Sequence, residues 1–225
     1  MLRQTKEMLE ALKKPEAYDS PVREIRLIQT HISWVFLTGD FVYKIKKPVD
    51  FGFLDFTMLE KRMKFCKREL EINRMFSPEI YIDVLPVNKF DHMIKINGPG
   101  ETIDYAIKMK QLPQENLMDR LLDKNLIETK TIDKIVDILI DFYSKTQTHS
   151  DPYSMGSIET VKFNWRENFK QVRPFLGKTI GQEAFEAIER KVSEFMEKNS
   201  ELFSKRLREG KIKWCHGDLH SGNIF

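Results

Sequence analysis

The sequence predicts an α+β fold, and three observations carry that expectation. Short alternating segments crowd the first half, one amphipathic helix interrupts them, and the second half repeats at helical spacing. Residues 2–12 read as a short helix ended by Pro15. Ile25-Arg26-Leu27-Ile28-Gln29 alternates apolar and polar, as a half-buried strand does. Residues 33–37 and 41–46 are expected as a second and third strand, the last stopped by Pro48. Thr38-Gly39-Asp40 between them is a tight turn in which Gly39 is free to take positive φ. Three such strands in a row predict an antiparallel meander.

From Thr57 the period changes. Leu59, Met63, Cys66 and Leu70 recur at three and four residues, predicting a helix that ends by Ser77-Pro78. Residues 81–87, 93–96 and 103–109 return to strand pattern around an Asn97-Gly98-Pro99-Gly100 turn. Beyond Leu112-Pro113 the chain reads as helical. Ile132, Ile135, Val136, Leu139, Phe142 and Tyr143 mark an amphipathic helix expected in the core. Phe185, Ile188, Val192, Phe195 and Met196 mark another, and Lys211-Ile212-Lys213-Trp214-Cys215 alternates again before a His216-Gly217-Asp218 turn. The expected domains are 1–112, rich in sheet, and 113–225, mainly helical.

The 225 residues suffice for one large domain or two small lobes. Hydrophobic residues at 41% and charged residues at 32% argue against disorder. No apolar run approaches the roughly 18 residues of a membrane span, and Met1-Leu2-Arg3-Gln4-Thr5-Lys6-Glu7 lacks the apolar core of a signal peptide, so a cytoplasmic protein is expected. Cys66 and Cys215 form no CxxC pair or zinc spacing and are expected as reduced thiols. A net charge of +3 does not require nucleic acid or a membrane surface, and neither is expected as a partner.

The strongest chemical signal is His216-Gly217-Asp218-Leu219-His220-Ser221-Gly222-Asn223. Its aspartate and asparagine stand five positions apart, as in the catalytic loop of protein kinases. At that spacing the aspartate can face a substrate hydroxyl while the asparagine turns back to a magnesium ion on the phosphates. Gly217 and Gly222 let the loop bend between the two tasks. A second reading makes His216, Asp218 and His220 metal ligands, although His31, His92 and His149 supply no further ligand pair.

The HGDLHxGN form resembles the aminoglycoside phosphotransferase and choline kinase family. Within it the chain is most similar to a bacterial subgroup bearing Tyr43-Lys44-Ile45-Lys46-Lys47-Pro48 followed by Phe51-Gly52-Phe53-Leu54-Asp55-Phe56. The resemblance implies a two-lobed, protein kinase-like fold, with an antiparallel sheet and one helix in the first lobe and an incomplete helical second lobe. It implies ATP or GTP and Mg2+ as cofactors and transfer of phosphate to a hydroxyl of a small molecule. Asp218 is then the catalytic residue and Asn223 the metal ligand.

A kinase also needs a lysine on its third strand and a glutamate on the next helix. Lys44 fits the first, since a lysine within an apolar strand needs a partner. Lys46 shares its face and is the rival; otherwise Lys46 and Lys47 read as exposed strand lysines. Glu69, a turn after Phe65 and a turn before Asn73, is the expected partner, and Glu71 points elsewhere. No GxGxxG precedes the second strand. Gln29-Thr30-His31-Ile32-Ser33 takes that place, either with its amides and the Ser33 hydroxyl on phosphates or as a plain hairpin turn. The segment with Lys110 and Leu112 corresponds to the family's adenine-binding hinge.

The family carries a second metal-binding aspartate beyond the loop, and no aspartate follows Asp218 here. The resemblance therefore implies a truncated chain, impaired or inactive in transfer, from a longer product. The alternative is a pseudokinase-like module that binds nucleotide or a partner and transfers nothing.

Overall fold

A computed structural model of the chain describes residues 2–52, 54–146, 148, 151 and 155–225. Met1, Phe53 and His149, named above, lie outside the described residues. The chain divides into two compact units, 1–142 with 216–225, and 143–215.

The first unit is built on six strands: β1 (Arg26–Gln29), β2 (Ser33–Leu37), β3 (Phe41–Lys46), β4 (Tyr81–Phe90), β5 (Met93–Ile96) and β6 (Glu101–Lys110). They form one sheet in the order β1-β2-β3-β6-β4-β5, antiparallel throughout. The meander of β1 to β3 follows the alternation in the sequence. β4 and β6 run further than their apolar cores suggested, because each pairs along most of the other's length.

Residues opposed across an antiparallel pair share a face. Tyr43 and Ile45 therefore lie with Phe36, Trp34 and Ala106, and the helix α1 (Leu2–Ala11) covers them with Met8. On the other face stand Lys44 and Ile107, in register with each other. There the helix α2 (Leu59–Phe76) brings down Cys66 and Leu70, one turn apart, onto Ile107. Ionic contacts fasten the entry of α2. Asp55 accepts hydrogen bonds from the Thr57 N–H (2.9 Å) and hydroxyl (2.6 Å) and pairs with Lys61. The buried Arg62 donates from Nε to Asp104 Oδ1 on β6 (2.9 Å), and from Nη1 to the carbonyls of Phe56 (3.0 Å) and Thr57 (3.1 Å). α2 stops where Ser77 N–H caps the Asn73 carbonyl ahead of Pro78.

After β6 come α3 (Met118–Asp123) and α4 (Thr129–Lys145). α4 departs from expectation. Of its apolar stripe only Phe142 is buried, stacked on Phe76 with ring centres 4.0 Å apart. Ile132, Val136 and Tyr143 are exposed, as are Ile138 and Ile140. An apolar stripe shows which side a helix can bury, and the described residues cover little of that side.

The second unit holds α5 (Ile158–Val172), α6 (Gln182–Lys198) and α7 (Ser200–Arg208). Ser157 caps α5 by accepting the Thr160 N–H at 3.2 Å. Phe185 and Met196 of α6 are buried as their spacing predicted, with the Phe169 ring edge-on to Phe185; Ile188 and Phe195 are exposed. The alternating stretch 211–215 forms no strand; Lys213 makes a single bridge to Thr148. Among the described residues no helix is long and apolar enough to cross a membrane.

Candidate functional site

The site begins with an ionic cluster between β3 and α2. Period-two alternation sends Lys44 and Lys46 to the α2 face. Glu69 on α2 reaches down between them. Lys44 Nζ lies 2.8 Å from Glu69 Oε1, and Lys46 Nζ lies 2.5 Å from Oε2. One carboxylate thus holds two ammonium groups, each on its own oxygen.

The two lysines differ in setting. The Lys44 side chain keeps 27% of its surface exposed, whereas that of Lys46 keeps 4%. This corrects the expectation of Lys46 as an exposed strand lysine. The ring of Phe56 covers it, 4.9 Å from Nζ to the ring centre. That ring arrives from the far end of the 47–56 segment, which folds back on itself through a bridge between Asp50 and Asp55. Glu71 does point elsewhere, pairing with Arg68 on the exposed side of α2.

Burial alone raises the Glu69 carboxyl, but Lys44 and Lys46 outweigh it and bring the group down to about 2. Burial likewise works against charge on Lys44, and Glu69 outweighs it, so the ammonium is held above the ordinary lysine range. Cys66, a turn before Glu69 and fully buried, has its thiol pushed up to about 12 by burial. Burial also raises Tyr81, with Glu69 adding to the effect.

Residues 216–225 belong to the same unit as this cluster. Two contacts seat the loop. The His216 ring packs edge-on against Phe76, the last residue of α2, at 5.6 Å. The Met118 N–H, at the start of α3, donates to the Ile224 carbonyl at 2.8 Å. His216 lies within electrostatic reach of Glu69 and Lys44. Burial lowers its basicity, while Asp218 and Glu69 pull it upward.

Within the loop, Gly217 takes φ of +81°, a left-handed turn that favours glycine. The His220 ring accepts the Gly222 N–H at Nδ1 (3.1 Å) and packs so closely that a Cβ on Gly222 would meet its Cε1 at 2.9 Å. Asn223 folds back on Asp218, donating from Nδ2 to its carbonyl at 2.8 Å and to carboxylate Oδ2 at 3.3 Å. Among the described residues no hydrogen bond engages Asn223 Oδ1, and the Asp218 side chain that Nδ2 faces is 80% exposed. A neutral oxygen of this kind suits a hard cation such as magnesium, with the remaining ligands drawn from phosphate and water. Among the described residues His216, Asp218 and His220 do not converge into a three-ligand cluster.

The other sequence candidates stand as follows. Ser33 is fully buried on β2, in register with Lys46, and among the described residues its Oγ has no hydrogen-bond partner. Its hydroxyl is therefore enclosed and does not face a ligand in this conformation. The Thr30 hydroxyl instead organises the 29–33 turn by accepting the Ser33 N–H at 2.9 Å. Lys110 is exposed at the end of β6, with its N–H given to the Ile80 carbonyl (2.9 Å). Gln111 gives its N–H to Asp40. The Leu112 carbonyl receives a long contact from Gln114 Nε2 (3.5 Å), and among the described residues its N–H has no acceptor. A cavity of about 240 Å³ lies elsewhere, lined by Met8, Pro48, Leu59, Arg62 and Asp104 among others, and none of the candidate residues borders it.

Three curated relatives, from Mycobacterium bovis and from the CDC 1551 and H37Rv strains of Mycobacterium tuberculosis, are similar to this chain; each is described as an uncharacterized protein. Each is 27% identical over 207 residues, which is 92% of this chain and 40% of the relative. The chain thus spans about 40% of the length of the curated relatives it matches. No protein-family model and no solved structure matches it.

Proposed function

We propose that the chain carries the nucleotide site and catalytic loop of an ATP- or GTP-dependent phosphotransferase that acts on a hydroxyl of a small molecule. The observation that carries this reading is the ion pair between Lys44 on the third strand and Glu69 on the helix that follows it, in one compact unit with the Asp218–Asn223 loop. That combination is the working constellation of kinase-like phosphoryl transfer. In this reading 1–112 is the nucleotide-binding lobe and 113–225 part of a helical lobe.

Each residue then has one task. Lys44 offers its ammonium to the phosphates, and Glu69 orients it. The free Leu112 N–H and its neighbours in the hinge hold the base. Asp218, exposed and anchored through Asn223, receives the acceptor hydroxyl and its proton. Asn223 Oδ1 would hold magnesium, which when bound neutralises phosphate charge. Little covalent chemistry falls to the protein, so positioning and charge supply the rate.

The test is calorimetry of MgATP and MgGTP binding to this chain and its Lys44→Met variant, with transfer assayed in the longer protein and its Asp218→Asn variant. Nucleotide binding lost in Lys44→Met, and transfer lost but binding kept in Asp218→Asn, are the expected results. Unchanged transfer in Asp218→Asn would overturn the assignment. Binding without any transfer in the longer wild-type protein would leave a nucleotide-binding module.

A further inference from the structure

We infer that Lys46 is a positioning residue: it keeps the Glu69 carboxylate occupied, so that Lys44 is the cation the cluster presents to a polyphosphate. This rests on the phosphotransferase reading and goes beyond it, because a lysine–glutamate pair alone is electrically neutral. An anion arriving at such a pair meets a lysine whose charge the carboxylate already cancels, and any shift of the lysine toward it leaves that buried carboxylate less well paired. Here two ammonium groups and one carboxylate leave one positive charge over.

The geometry says which lysine supplies it. Lys46 is enclosed, 4% exposed, with Phe56 over its ammonium and Glu69 Oε2 at 2.5 Å. It has no route to a ligand. Lys44 is 27% exposed and holds the other carboxylate oxygen at 2.8 Å. When Lys44 turns toward phosphate, Glu69 remains paired through Lys46. The cost of drawing Lys44 toward the phosphate falls accordingly, and the charge that meets the anion is not cancelled beforehand.

This arrangement makes a prediction that a purely structural Lys46 does not. Lys46→Met removes the surplus charge and gives Glu69 to Lys44 alone. Lys46→Met combined with Glu69→Gln restores the surplus, since Lys44 is then the only charge left. We expect Lys46→Met to weaken MgATP binding about tenfold and the double variant to recover part of the loss, the remainder being the lost orientation of Lys44 by Glu69. Calorimetry of the four proteins in that cycle reads the effect, with thermal unfolding to confirm that each is folded.

Binding unchanged in Lys46→Met, or a double variant no better than Lys46→Met, overturns the inference. If Lys46→Met does not fold, the comparison moves to two double variants. Lys46→Met/Glu69→Gln binds more tightly than Lys44→Met/Glu69→Gln if the inference holds, and equal affinities overturn it. Tripolyphosphate separates the two levels of the argument. A wild-type chain that binds tripolyphosphate but not ATP sinks the nucleotide reading, and the same cycle then decides Lys46 with tripolyphosphate as probe. A chain that binds neither sinks both.

Discussion

Replacing Arg62 with methionine should cost the first unit about 3–5 kcal/mol, the usual penalty for stranding one partner of a buried ion pair. The figure follows from what the substitution leaves behind. Methionine preserves much of the aliphatic packing but removes the donor to Asp104 Oδ1 and both donors to the Phe56 and Thr57 carbonyls. Asp104, 4% exposed, then keeps, among the described residues, the Tyr105 N–H at 2.9 Å as its remaining hydrogen bond. The penalty should also depend on pH. Burial already raises the Asp104 carboxyl above its ordinary 3.8, with Arg62 opposing. Without Arg62 it rises further, so the folded state binds a proton the unfolded state does not. Stability then falls as pH climbs above 3.8 toward the folded value, and the deficit shrinks on acidification. Urea unfolding followed by Trp34 fluorescence, in a background carrying Trp165→Phe and Trp214→Phe, measures this. We expect the midpoint to drop by at least about 1 M urea at neutral pH. Arg62→Met combined with Asp104→Asn should recover part of the loss. A deficit below about 1 kcal/mol, or one independent of pH, would refute the claim that a buried charge is left stranded.

Three further outcomes are expected. Cys215 should react with a thiol reagent at pH 8 in the native protein while Cys66, buried and raised to about 12, reacts only after denaturation; a native titration of two thiols contradicts the packing of α2. Glu69 is ordinarily near 4.5 and is held near 2, so its contribution is complete above 4.5 and is lost as pH falls toward 2; acid titration of wild type against Glu69→Gln should converge across that range. Gly222→Ala should loosen the His220 turn, because its Cβ would press on the ring; slower transfer in the longer protein with unchanged nucleotide affinity is the expected signature, and equal loss of both places the glycine elsewhere in function.

Much of the first unit could be read from residues alone. The β1–β3 strands alternate cleanly, and the change of period at α2 is sharp because Cys66 and Leu70 sit a turn apart over Ile107. Lys44 and Glu69 were legible together because kinase chemistry asks for a third-strand lysine with a glutamate on the next helix, and a strand lysine within apolar sequence demands a partner. Lys46 was not: the period that places it beside Lys44 says nothing about Phe56, whose ring closes over it from a folded-back segment. The Arg62–Asp104 pair escaped for a related reason, since no local pattern links residues 42 positions apart. The Ser33 hydroxyl could be placed in its turn but not in its enclosure. For α4 the spacing identified the apolar side correctly and overstated its burial, because cover is supplied by other elements and leaves no mark in the helix's own sequence.

The division of the chain also sets an order of assembly. Lys44 and Glu69 lie 25 positions apart, on a strand and a helix that leave the ribosome before residues 143–225 and can pair while those are being made. Asp218 and Asn223 join the same unit only after the whole 143–215 stretch has been made, and their docking closes a long loop whose entropic cost grows slowly with length. A nascent chain can therefore form the Lys44–Glu69 pair well before the 216–225 segment joins it. In the proposed phosphotransferase reading, charge capture would then precede the capacity for chemistry, and the docking of 216–225 would turn one into the other.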